Sequence, residues 1–237
     1  MSAAELLTIG AGIGSGAIAA GLGYCCLYHN SQVVAPVISR IESSGSVALT
    51  FDDGPTPRFT EPILKLLAKA NVQATFFCIG ENILANRSLV SDMLSAGHCI
   101  GNHTWNHDHT GIFGSKSYWH RQVERTSDLI AELSGSPPRI FRAPMGFKTW
   151  QQAAAVRAAH MRYIGWRSWA WDTTNVSPQG IYRRITRRLA PGDIVLLHDG
   201  LEYARRQASQ AATVAALPEI LSSIIDRGWR AVSLGAL

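Results

Sequence analysis

Cysteine is sparse in this chain, four residues in 237, and their placement gives little support to a disulfide framework. Cys25 and Cys26 adjoin an apolar run, where they read as apolar filling ahead of an acylation site, while Cys78 and Cys99 fall in separate strand-like segments without metal-pair spacing. Basic residues are missing ahead of the apolar run at 6–28, so the chain lacks the charged leader that a cleaved signal peptide requires. That run is itself free of charge over 23 residues, long enough to cross a bilayer as a helix. It is read as an uncleaved N-terminal transmembrane anchor over 1–29, with Gly12 and Gly16 as a small-residue pair, followed by a linker at 30–45. Lys and Arg are scarce on both of its flanks, so charge assigns no orientation; the domain that follows is expected on the extracytoplasmic side. No nucleic-acid module is evident, although the net charge of +5 suits work near an anionic lipid or wall polymer. Arg183, Arg184, Arg187 and Arg188 form two i,i+4 pairs that read as a solvated helix face.

Against this thin background of charge, Thr50-Phe51-Asp52-Asp53-Gly54-Pro55 stands out, because it puts two adjacent carboxylates in a turn after the apolar run Val47-Ala48-Leu49. In parallel α/β architectures the carboxyl ends of strands are where sites are built. Neighbouring carboxylates repel, and a nearby cation relieves that repulsion. A surface Asp-Gly-Pro turn is the plain alternative for this stretch taken alone.

About fifty residues on, imidazoles cluster in His98, His103, His107 and His109. His103 and His107 are four apart, so one helical turn would place both rings on one side, where they could share a divalent ion. A carboxylate and two imidazoles make three protein ligands and leave a position open, the catalytic pattern for zinc. His98 reads as a core or supporting residue and His109 as a spare ligand.

These stretches resemble the NodB homology domain of polysaccharide deacetylases, the fourth family of carbohydrate esterases, over residues 46–237. The resemblance implies Asp52 as catalytic base and Asp53, His103 and His107 as ligands of one divalent metal ion, zinc by preference, with cobalt or another ion as alternatives. Arg142-Ala143-Pro144-Met145-Gly146 matches the third motif, with Arg142 holding the base through a bidentate contact and Pro144, Met145 and Gly146 at the substrate. Ile194-Val195-Leu196-Leu197-His198 matches the fifth, with His198 as general acid and Leu196 walling the acetyl pocket. The fourth motif is half kept in Asp172-Thr173-Thr174-Asn175-Val176, where Asn175 replaces the carboxylate expected to pair with His198 and Val176 replaces a tryptophan. Asp172 or Asp199 is left to compensate, and Trp171, Asp172 and Asn175 count as substrate-binding positions. Trp105, Trp169 and Trp171 offer stacking faces, with core packing expected for at least one.

The implied function is metal-dependent removal of N-acetyl groups from amino sugars of a glycan or glycolipid. Deacylation or deformylation of a lipid-linked sugar, and a catalytically impaired carbohydrate-binding protein, are the rivals. The rest of the chain alternates helical and strand-like segments, with helices at 60–70, 82–96, 117–133, 149–159, 180–189 and 206–227 and strands at 74–79, 99, 140–141, 163–171, 194–197 and 231–234. Such alternation favours a parallel sheet, and the resemblance implies a distorted (β/α) barrel with fewer than eight strands.

Overall fold

A computed structural model describes residues 23–200 and 210–237. Its nine strands, β1 (Val37–Ile38), β2 (Ser46–Asp52), β3 (Thr75–Cys78), β4 (Cys99–Asn102), β5 (Ile140–Phe141), β6 (Arg162–Ile164), β7 (Ser168–Trp169), β8 (Ile194–His198) and β9 (Arg230–Val232), form one sheet. All strand pairs are parallel. The order is β1-β6-β5-β4-β3-β2-β8-β7, with β9 beside the first residues of β2. Among the described residues seven α-helices link the strands: α1 (Pro57–Lys69), α2 (Gly80–Ala85), α3 (Arg87–Ser95), α4 (Lys116–Ser134), α5 (Trp150–Ala158), α6 (Pro178–Thr186) and α7 (Ala211–Asp226).

β2 is buried along all seven residues, as a central parallel strand covered on both faces must be. Phe51, Phe76, Leu197, Ile63 and Leu217 share the larger core cluster on one side of it. α4 owes its sharp limits to Ser115, whose hydroxyl accepts the Tyr118 N–H, and to Gly135, which takes the left-handed conformation at φ 77°.

Three expectations are corrected. A single strand at 163–171 is two strands at distant places in the order, β6 next to one edge and β7 at the other. Only residues 165–167 separate them, a reach of roughly 14 Å, so the sheet must curl back on itself, and that curl makes the distorted barrel. The strand total is nine among the described residues, above the expected number. A single helix at 82–96 breaks into α2 and α3 at Asn86, whose side-chain amide donates to the carbonyls of Asn82 (3.0 Å) and Pro55 (3.3 Å).

The segment read as a linker is built into the sheet: β1 pairs with β6, and Arg40 reaches Asp193 at 3.5 Å and the Pro191 carbonyl at 2.8 Å. Most of the expected anchor, 1–22, lies outside the described residues. Among the described residues no helix is long and apolar enough to cross a membrane.

Candidate active site

The barrel's carboxyl end gathers the motif residues because they stand at or just past strand ends. Asp52 closes β2 and His198 closes β8, and the two are partners in the register of that strand pair. Asp53 follows β2 directly, and His103 follows β4. Asp52, Asp53, His103 and His107 are all buried.

His103 Nε2 lies 3.3 Å from Asp53 Oδ1, and His107 Nε2 lies 3.4 Å from the same oxygen. The three ligand atoms fall within 4.8 Å of one another. Asp53 Oδ1 is buried and accepts no hydrogen bond, the condition of an oxygen waiting for a cation. His103 Nδ1 donates to the Arg142 carbonyl at 2.8 Å, which turns the Nε2 lone pair toward Asp53. Burial pushes the Asp53 carboxyl up, but His107 and His103 outweigh it and hold it below the usual carboxylate range. The donor set therefore fits a divalent ion.

The two histidines are not on a helix. His103 to Asp108 is a loop whose backbone N–H groups are taken by side chains: Asn102 Oδ1 accepts from Thr104 (2.8 Å), Gln122 Oε1 from Trp105 (2.9 Å), and Thr104 Oγ1 from His107 (3.2 Å). Thr104 and His107 take left-handed backbones at φ 68° and 53°, as does Asp53 at 74°. Non-glycine residues in this region store strain, and here it serves to aim ligand side chains inward. His109 is exposed on the rim, 5.3 Å edge-on from His107 and outside the ligand group, while His98 is a core residue whose Nδ1 accepts the Ala74 N–H.

On one flank stands Arg142, fully buried. Its contact with Asp52 is single rather than bidentate: Nη1 donates to Asp52 Oδ1 at 2.7 Å and to Thr50 Oγ1 at 2.7 Å. Nε donates to the Ile164 carbonyl and Nη2 to the Gly165 carbonyl, and the guanidinium lies 4.1 Å over the Phe77 ring. The backbone of the β6–β7 gap thus takes the half of the fork that was expected on the carboxylate.

Across the cleft His198 Nδ1 meets Asp172 Oδ1 at 2.9 Å, and Asp172 Oδ2 accepts from the His198 backbone N–H and from Thr213, both at 2.9 Å. Burial alone would lower the imidazole, but Asp172, with Asp53 and Asp52, raises it to about 10. Asp172 is therefore the carboxylate partner that position 175 lacks; it is buried and also lines the cleft beside His198. Asn175 is exposed and away from the cleft. Asp199 does not reach His198; it accepts from Thr60 at 2.5 Å and packs so close to Gly54 that a Cβ there would meet Asp199 Oδ2 at 2.1 Å.

The cleft over these residues has a volume of about 330 Å³. Met145, Trp171, Asp172 and Leu196 line it, whereas Pro144 and Gly146 do not. Of the three tryptophans, Trp169 and Trp171 line the cleft and Trp105 is core, with its Nε1 on Glu81 and Arg125 over its ring. Sequence reasoning missed Leu27, His29, Phe147 and Trp166 in the lining. Trp166 lies in the unforeseen break between β6 and β7, and Leu27 and His29 in a stretch assigned to the anchor.

The polysaccharide deacetylase family profile matches residues 40–164. The chain belongs to that family. It is 34% identical over 196 residues to a peptidoglycan-N-acetylglucosamine deacetylase of Bacillus cereus, covering 81% of this chain and 87% of the relative. It is 33% identical over 188 residues to a chitooligosaccharide deacetylase of Sinorhizobium fredii, covering 78% and 87% respectively. A crystal structure of a peptidoglycan N-acetylglucosamine deacetylase superposes with a TM-score of 0.77 at 29% identity, over 84% of this chain and 91% of the other. As a member of this family the chain is a polysaccharide deacetylase, a hydrolase of carbon–nitrogen bonds other than peptide bonds.

Proposed function

We propose that this deacetylase removes acetyl groups from N-acetylglucosamine units of a glycan, peptidoglycan or a chitooligosaccharide, outside the cytoplasm. One observation carries the reading: Asp52 and His198 stand at paired positions on neighbouring strands, on either side of the group Asp53, His103 and His107. Base, acid and cation ligands thus face one cleft.

Asp52, fixed by Arg142, accepts the proton of the attacking water. His198, kept protonated by Asp172, donates to the departing amine as the carbon–nitrogen bond breaks. Leu196 walls the acetyl methyl, and Met145 and Trp171 bear on the sugar. A divalent ion, zinc by preference, held by Asp53, His103 and His107 would supply Lewis-acid polarisation of the acetyl carbonyl. The charge-free run at 6–28 is consistent with tethering to a membrane.

Because Leu27, Met145, Phe147, Trp166 and Leu196 make the lining largely apolar, an acyl group longer than acetyl on a glycolipid is the second reading. Acid release from N-acetylglucosamine oligomers, peptidoglycan and an N-butyryl analogue decides between them. The first reading expects acetate from the first two at a rate at least tenfold above release from the analogue; faster butyrate release sinks it.

A further inference from the structure

The family match begins at residue 40, yet two residues ahead of it, Leu27 and His29, line the cleft. They sit on a strap, residues 26–30, that is fastened to the loop carrying the third motif. The Lys148 backbone N–H donates to the Cys26 carbonyl at 2.9 Å, and its Nζ donates to the carbonyls of Tyr28 (3.0 Å) and His29 (2.7 Å). Lys148 is itself buried, 1% exposed, so this lysine is spent on holding backbone rather than on solvent. Asn30 adds a bond to the Trp166 carbonyl at 2.8 Å.

Two glycines make room for the strap. A Cβ at Gly146 would meet His29 Cβ at 2.5 Å, and one at Gly165 would meet Asn30 Oδ1 at 2.2 Å. The His29 ring lies flat on Trp166, centroids 4.3 Å apart at 7°, and edge-on to Trp169 at 5.5 Å, which in turn meets Trp171 at 6.2 Å. Trp166 lies beside the Arg142 guanidinium, 5.6 Å away, so His29 stands one aromatic layer out from the Arg142–Asp52 pair. Burial and the Lys148 charge push His29 down to about 4, against the opposing effect of its hydrogen bond to the Trp166 backbone, which leaves a neutral ring whose other nitrogen is an acceptor at working pH. Aromatic faces next to a neutral hydrogen-bonding edge match a pyranose, which presents apolar C–H faces and a rim of hydroxyls.

We propose that the strap is a glycan-binding wall in which Leu27, His29 and Trp169 contact the sugar unit beyond the one that loses its acetyl group, with Lys148 as the positioning residue that fastens it. The proposal rests on the reading of the substrate as an N-acetylglucosamine chain. Its signature is dependence on chain length, which a purely structural role would not produce.

The test measures binding by calorimetry in an Asp52→Asn background of the full chain, so that nothing is consumed, with N-acetylglucosamine and its tetramer as probes. His29→Ala and Leu27→Ala are expected to weaken the tetramer at least fivefold more than the single sugar. His29→Phe, which keeps a ring on Trp166 but loses the nitrogens, falls between parent and His29→Ala. Lys148→Met reproduces the length-selective loss, and Val33→Ser, exposed and outside the cleft, leaves both affinities at the parent value. Equal losses on both probes, or none on either, overturn the wall. Acetate release by the unmodified protein is followed alongside: a chain that binds the tetramer selectively but releases no acetate refutes the substrate reading and leaves the wall standing.

Discussion

Replacing Asp172 by Asn removes the charge behind His198 while keeping the size of the side chain. In the parent, Asp172 Oδ1 lies 2.9 Å from the imidazole, and its charge, reinforced by Asp53 and Asp52 against the opposing effect of burial, raises the group from 6.5 to about 10. At pH 8 a group titrating near 10 is ~99% protonated, and one at 6.5 only ~3%, so a return of the imidazole to its ordinary value removes about thirtyfold of the competent acid. At pH 6 the same loss is only about 1.3-fold. A cation bound at Asp53 cancels that residue's share of the shift and draws the parent's alkaline limb below 10. The assay is kcat/KM for acetate release from the N-acetylglucosamine tetramer between pH 5.5 and 10, with metal content followed in parallel. Asp172→Asn should bring the alkaline limb down by more than two pH units with metal retained. A deficit of the same size at pH 6 and pH 8 would refute the assignment of Asp172 as the charge that keeps His198 protonated. The linkage has a matching sign in stability: the raised His198 value contributes in full below pH 6.5 and is lost as pH rises through about 10, so the alkaline fall in the parent's Tm should flatten in the variant.

Other expectations follow from the same geometry. Asp52→Asn should abolish acetate release by at least a hundredfold with metal still bound, whereas His103→Ala should lose metal and activity together; metal analysis beside the rate separates the two. Asn175→Asp should leave the alkaline limb within about 0.3 pH units of the parent, because position 175 is exposed and does not line the cleft; a clear shift would show that it reaches the imidazole after all. Gly54→Ala should destabilise the fold by about 1–3 kcal/mol in denaturant titrations, since the added Cβ would fall 2.1 Å from Asp199 Oδ2. An unchanged midpoint would mean that Asp199 moves aside freely.

Much of the site was legible because its residues stand at strand ends that the sequence marks plainly. Asp52 and His198 each close a short apolar run, and parallel packing of those runs brings them opposite one another without further instruction. The His103–His107 pair was legible as a pair but not as geometry: spacing alone favours a helix, and only the side chains of Asn102, Thr104 and Gln122, taking up the loop's N–H groups, make the left-handed loop preferable. The break after Ile164 is hidden because residues 163–171 are dominated by aromatic and apolar side chains, with only Gly165, Arg167 and Ser168 interrupting them, and the parting of β6 from β7 is decided by the curl of the whole sheet. The strap was missed for a related reason. Its last residues continue a charge-free run, and the signal that ties them down is a lysine more than a hundred positions away, buried at position 148. For the partner of His198 the sequence leaves Asp172 and Asp199 as alternatives, and the choice of Asp172 depends on tertiary packing: Thr213 of α7 holds one carboxylate oxygen while the other faces the imidazole.

The most direct test of the account is a titration of the chelator-treated protein with zinc, following acetate release from the N-acetylglucosamine tetramer. The account predicts no release from the stripped protein, recovery that saturates at about one equivalent of zinc per chain, and no recovery in Asp53→Ala or His107→Ala. Full activity in the stripped protein, or recovery by either variant, would contradict it.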